Sequence, residues 1–110
     1  MQNQVHEGKA WDTWLQDLSA KAPSTRIVYL SAFEAFLQRW ELDPDRLYEM
    51  RRTDMESDDP RDKQNIERMV KVYMSELLGE GKAPNTVRQT SKAVGSFLES
   101  QGLGPLRKYG

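Results

Sequence analysis

Asn85, Arg88 and Lys92 stand at i, i+3 and i+7, so a helix over this stretch places an amide, a guanidinium and an ammonium on one face. Gln89 and Ser91 flank them. This is the chemistry of a major-groove contact: Arg pairs with guanine, Asn or Gln with adenine, and Lys or Ser with phosphate. Lys82 and Thr86 lie at the start of the same segment, where a helix N-terminus attracts anions. An ordinary solvated helix face is the competing reading of the same residues.

That helix start is written twice. Residues 21–44 read KAPSTRIVYLSAFEAFLQRWELDP and residues 82–105 read KAPNTVRQTSKAVGSFLESQGLGP. At an offset of 61, nine of the 24 positions are identical without a gap, and they fall at helix start, helix core and helix exit. The period is too long and the copies too few for a solenoid, so the pattern is an internal pseudo-repeat within one domain. In the first copy Lys21, Ser24, Thr25 and Arg26 hold the N-terminal positions. Arg88 and Gln89 are matched there by Ile27 and Val28, and Lys92 by Ser31. The first copy is thus suited to holding a nucleic-acid backbone and the second to reading bases. Tyr29, in the first turns of the first copy, can pack its ring and still extend its hydroxyl.

Other chemistry finds little footing. The one histidine, His6, falls in a segment expected to be an exposed N-terminal tail, and no cysteine exists to share a metal with it. Asp54, Glu56, Asp58 and Asp59 lie in a stretch without apolar neighbours to raise their pKa values, and without the spacing of an EF-hand loop. The glycines at 79, 81, 102 and 104 read as helix stops rather than a phosphate cradle. No catalytic set, no metal site and no cofactor are expected, and the chain alone is not expected to be an enzyme.

The elements that must position these residues are helical. Trp11, Trp14, Leu15 and Leu18 predict a helix over about 9–20, and Pro23-Ser24-Thr25 opens a second with Ser24 as N-cap and Leu30, Phe33, Phe36, Leu37 and Trp40 inward. Asp43-Pro44 starts a short helical turn through Leu47, Tyr48 and Met50, and residues 51–59 form a polar connector with little to bury. Asp59-Pro60 starts a long third main helix buried through Ile66, Met69, Val70, Tyr73, Leu77 and Leu78. Pro84-Asn85-Thr86 opens the fourth, buried through Val87, Val94, Phe97 and Leu98. No segment alternates with period two. The expected fold is all-α, four main helices and one short one around a single core, with the domain over residues 9–105 and a tail over 1–8. The aromatic residues fall on the apolar stripes, which makes them core rather than a stacking platform.

Composition sets the outer bounds. At 110 residues, 30% of them charged, the chain is one domain. It shows no apolar run of membrane-spanning length and no signal-peptide pattern at its start. The absence of cysteine fits a cytoplasmic setting. The net charge of −1 hides an asymmetry: residues 82–110 carry five basic and one acidic residue, residues 43–60 three basic and seven acidic. A basic face is compatible with that distribution.

The order Trp11…Leu15, Ser24-Thr25-Arg26…Tyr29…Leu30…Phe33…Phe36, then Tyr73…Leu77…Gly81, Asn85-Thr86, Phe97…Gly102 resembles the N-terminal core-binding domain of tyrosine recombinases and phage-type integrases. The pattern is T-x-x-x-Y-x-x-x-L/F-x-x-F, then N/S-T, then an F-L/F-x-x-x-G exit, and it covers about residues 9–105. The resemblance implies a SAM-like four-helix bundle forming half of a clamp around duplex DNA. It implies DNA contacts at Lys21, Thr25, Arg26 and Tyr29 and at Lys82, Asn85, Thr86, Arg88, Gln89 and Lys92. It implies chemistry in a separate C-terminal catalytic domain, reached through a linker beginning at residues 106–110, so that Tyr109 is not a nucleophile. Integration or recombination on DNA in a prokaryotic cytoplasm, with possible oligomerisation on the DNA, would follow. A helical protein-interaction domain without a nucleic-acid role is the alternative.

Overall fold

The computed structural model describes residues 6–107. Its elements in chain order are α1 (Lys9–Leu18), α2 (Pro23–Trp40), α3 (Pro44–Glu56), a 3-10 turn (Pro60–Gln64), α4 (Asn65–Gly79) and α5 (Pro84–Ser100). Among the described residues there is no strand, and the all-α expectation is met. The two predicted linker residues that are described, Leu106 and Arg107, are docked on the bundle: Leu106 packs against the core and the Arg107 N–H donates to Glu67. Tyr109 lies outside the described residues.

The core is aromatic at its centre. Trp14, Phe33, Phe36 and Phe97 are wholly buried. The ring centroid of Phe33 is 4.5 Å from that of Trp14 and 4.8 Å from that of Phe97. Burying such side chains stabilises the fold by roughly 1.5–3 kcal/mol each. Trp14 satisfies its indole by donating Nε1–H to Ser96 Oγ at 3.0 Å, and Gln101 Nε2 donates to Ala10 O at 2.8 Å. These two bonds lay α1 antiparallel to α5. Helix α5 is the hub, packing on α2, α4 and α1.

The pseudo-repeat is a structural repeat. Ala22 and Ala83 precede their helices with the same backbone (φ −61, ψ 147 and φ −64, ψ 144), and Pro23 and Pro84 occupy the first helical position. Both helices end in a left-handed residue, Glu41 (φ 54) or Gly102 (φ 75). Both exits are closed by the same wrap-around bond, Leu42 N–H to Leu37 O and Leu103 N–H to Leu98 O, each 2.9 Å.

Several expectations are corrected. Ser24 is not the cap of α2; it lies inside the first turn, and the capping position belongs to Ala22. The polar connector over 51–59 does not exist as such, because α3 continues to Glu56. Leu47, Arg51 and Asp54 follow one another at i, i+4 and i+7 on its buried face, with Arg51 and Asp54 each 3% exposed. The helix starting at Pro60 is split into the 3-10 turn and α4, broken where Gln64 leaves helical geometry (φ −123, ψ 27). Leu15 and Leu78 are exposed, at the margins of their apolar stripes. His6 is not an exposed tail residue: its ring packs edge-on against Trp11, its side chain is 6% exposed, and Nε2 lies 2.5 Å from Glu34 Oε1.

Candidate nucleic-acid interface

Helix starts in this molecule are of two kinds. Asp43 caps α3 by accepting from Arg46 N at 2.7 Å, and Asp59 caps the 3-10 turn by accepting from Arg61 N at 3.0 Å. At α2 and α5 no side chain caps the helix and the first turn holds no acidic residue. Helix geometry leaves the N–H groups at Ser24 and Thr25, and at Asn85 and Thr86, without intrahelical acceptors. Lys21 and Lys82 stand exposed one residue before each capping alanine. Paired in this way, unmet donors and a cation suit a phosphate oxygen.

The second copy is the more polar. Lys82, Asn85, Thr86 and Arg88 are exposed, and Gln89 is half-buried. Arg88 Nη2 donates to Asn85 Oδ1 across one helical turn, so the amide and guanidinium form one hydrogen-bonded pair on the surface. In the first copy Thr25, Arg26 and Tyr29 are half-buried. Arg26 Nη1 donates to Ser19 O at 3.3 Å, which ties α2 to the end of α1 and engages part of its guanidinium.

An open groove of about 840 Å³ runs between α4 and α5, bedded on Val70 and Met74. Three of the predicted residues, Lys21, Tyr29 and Lys92, line it together. The first-turn group Asn85, Thr86 and Arg88 does not line the groove, nor do Thr25, Arg26, Lys82 and Gln89. The structure therefore divides the predicted set between the groove wall and the helix starts. It also adds Lys71 of α4 and Arg107, which sequence reasoning missed, against the acidic Asp17 and Glu99. Lys71 follows the buried Val70 directly, and testing the neighbours of each stripe position for cations finds it.

Away from this surface, charges close on one another. Arg39 forks onto Glu76, with Nε and Nη2 donating at 2.7 and 2.6 Å, and that bond holds the Glu76 carboxyl below its usual range. Among the described residues no group of three His, Cys, Asp or Glu side chains could hold a metal ion. No described helix is long and apolar enough to cross a membrane. No protein-family model matches the chain, and comparison with curated proteins and with solved structures returns no match.

Proposed function

We propose that this chain is a DNA-binding module of the core-binding kind, which positions a tyrosine recombinase or phage-type integrase on its duplex. Strand chemistry belongs to a separate C-terminal catalytic domain, and the setting is a prokaryotic cytoplasm, with oligomers forming on the DNA. The observation that carries the reading is the pair of matched, uncapped, acid-free helix starts, each preceded by an exposed lysine. Asn85 and Arg88 offer base-edge chemistry beside one of them, while Lys21, Tyr29 and Lys92 extend a partly basic surface. Affinity in isolation is modest at a net charge of −1, and linkage to a second domain raises it.

The test is an NMR titration with a generic duplex at low and high salt. Salt-sensitive shifts are expected at residues 21–29 and 82–92. Arg88→Ala and Lys92→Ala should each lower the salt slope by about 1 for every phosphate left without its cation. Unchanged affinity and slope in both variants would take α5 out of the interface.

One observation favours a second reading, a helical protein-interaction domain. Ile27 is 69% and Val28 40% exposed, at the positions where α5 carries Arg88 and Gln89. Concentration-dependent self-association abolished by Ile27→Lys, with no duplex binding, would move the conclusion there.

A further inference from the structure

Beyond Ser100 the chain leaves helical structure, and residues 103–107 cross back over the bundle. Little apolar burial holds this segment: Leu106 is half-buried, and Pro105 and Arg107 are exposed. Two buried side chains hold it instead. Arg51 of α3 donates Nε–H to Leu103 O and Nη2–H to Pro105 O, each at 3.0 Å. Its Nη1 donates to both carboxylate oxygens of Glu67 of α4 at 2.9 Å. Glu67 Oε2 also accepts from the Arg107 N–H at 2.9 Å.

The two charged side chains are 3% and 2% exposed, and each uses its remaining capacity on the backbone of this one segment. A buried ion pair is weak evidence of net stability, because desolvation offsets the attraction. What the arrangement supplies is geometry: a planar fork and a carboxylate together select one path for the backbone from Leu103 to Arg107. Gly104 fits that path closely, since a Cβ there would lie 2.6 Å from Glu99 Cγ and 2.9 Å from Glu99 N. Beyond Gly104, Leu106 seats against Gly95, where an added Cβ would meet its Cδ1 at 3.8 Å. Pro105, Leu106 and Arg107 thereby form one end of the α4–α5 groove.

We propose that Arg51 and Glu67 are a latch, holding residues 103–107 as a strap that closes one end of the groove between α4 and α5, and that releasing the latch opens that end. The inference is independent of whether the groove meets DNA. Arg51 and Glu67 act as positioning residues, through the strap rather than on any ligand.

The strap can be loosened in two unrelated ways in the 110-residue protein. Glu67→Gln removes the charge that receives Arg51 and the Arg107 amide. Gly104→Ala leaves both latch residues in place and blocks the path by steric overlap with Glu99. In both variants the Arg107 amide should exchange with solvent about tenfold faster, the scale of losing a hydrogen bond to a charged group. The nuclear Overhauser contact between the Leu106 methyls and Gly95 should weaken. Amides of Phe33, Val94 and Phe97 should stay within about twofold of the parent, as local opening requires. Unaltered Arg107 exchange in both variants overturns the latch. So does acceleration of equal size in strap and core, which would make the pair an ordinary part of the core.

Discussion

Helices α2 and α5 start with the same backbone and finish with the same wrap-around bond, yet their outer surfaces diverge between those points. Where α5 shows Arg88, Gln89 and Lys92, α2 shows Ile27, Val28 and Ser31. Where α5 leaves its last turn through Gly102, α2 does so through Glu41. The shared positions are those with a backbone or packing duty: proline at the first turn, alanine at the close approach, Phe and Leu facing inward. Positions without such a duty have drifted or specialised. The frame of the repeat is thus set by caps and core, and function resides in what the frame carries.

This equivalence can be broken most forcefully at the core. Phe36→Ala and Phe97→Ala each remove a wholly buried ring at the same repeat position, and each should destabilise by about 3–5 kcal/mol in chemical denaturation. A large difference between them would show that the copies share a sequence but not an energetic role.

The exits give a sharper contrast of smaller size. A non-glycine residue at positive φ is strained by about 1–2 kcal/mol relative to glycine. Glu41→Gly should therefore stabilise by roughly 1 kcal/mol, and Gly102→Glu should destabilise by a similar amount, both read from the unfolding midpoint at constant slope.

The starts give the smallest change in stability and the most telling change in binding. Ala83→Asp gives α5 the kind of cap that Asp43 gives α3, and should stabilise by about 0.5–2 kcal/mol. The same carboxylate occupies the donors that a phosphate needs, so duplex affinity should fall as stability rises. Ala22→Asp should behave likewise at α2, with the weaker effect on affinity. Increased stability with undiminished duplex binding would separate the helix starts from the interface.

The sequence made some of this architecture legible and concealed the rest, for identifiable reasons. Trp14, Phe33, Phe36 and Phe97 are spaced as a helix spaces its buried face, and so the core was readable. The K-A-P-x-T starts were readable because proline and the alanine before it leave few local options. The second half of α3 was not, because Arg51 and Asp54 carry its buried face and charge reads as solvent exposure. Their partners, Glu67 and Leu103 for Arg51 and Asn65 for Asp54, lie 16, 52 and 11 residues away. His6 escaped for the same reason, its partner Glu34 being 28 residues distant. The groove depends on how α4 lies against α5, which no local pattern encodes, so Lys71 and Arg107 were absent from the expected set.

Trp14 has a use beyond packing. Its indole is shut away from water between Phe33 of one copy and Phe97 of the other, and is anchored to Ser96, whereas Trp11 and Trp40 are half-buried. A shielded indole emits at shorter wavelength than a wetted one. The molecule therefore carries its own optical gauge at the seam between the two copies, and parting α2 from α5 would register there as a red shift without any added label.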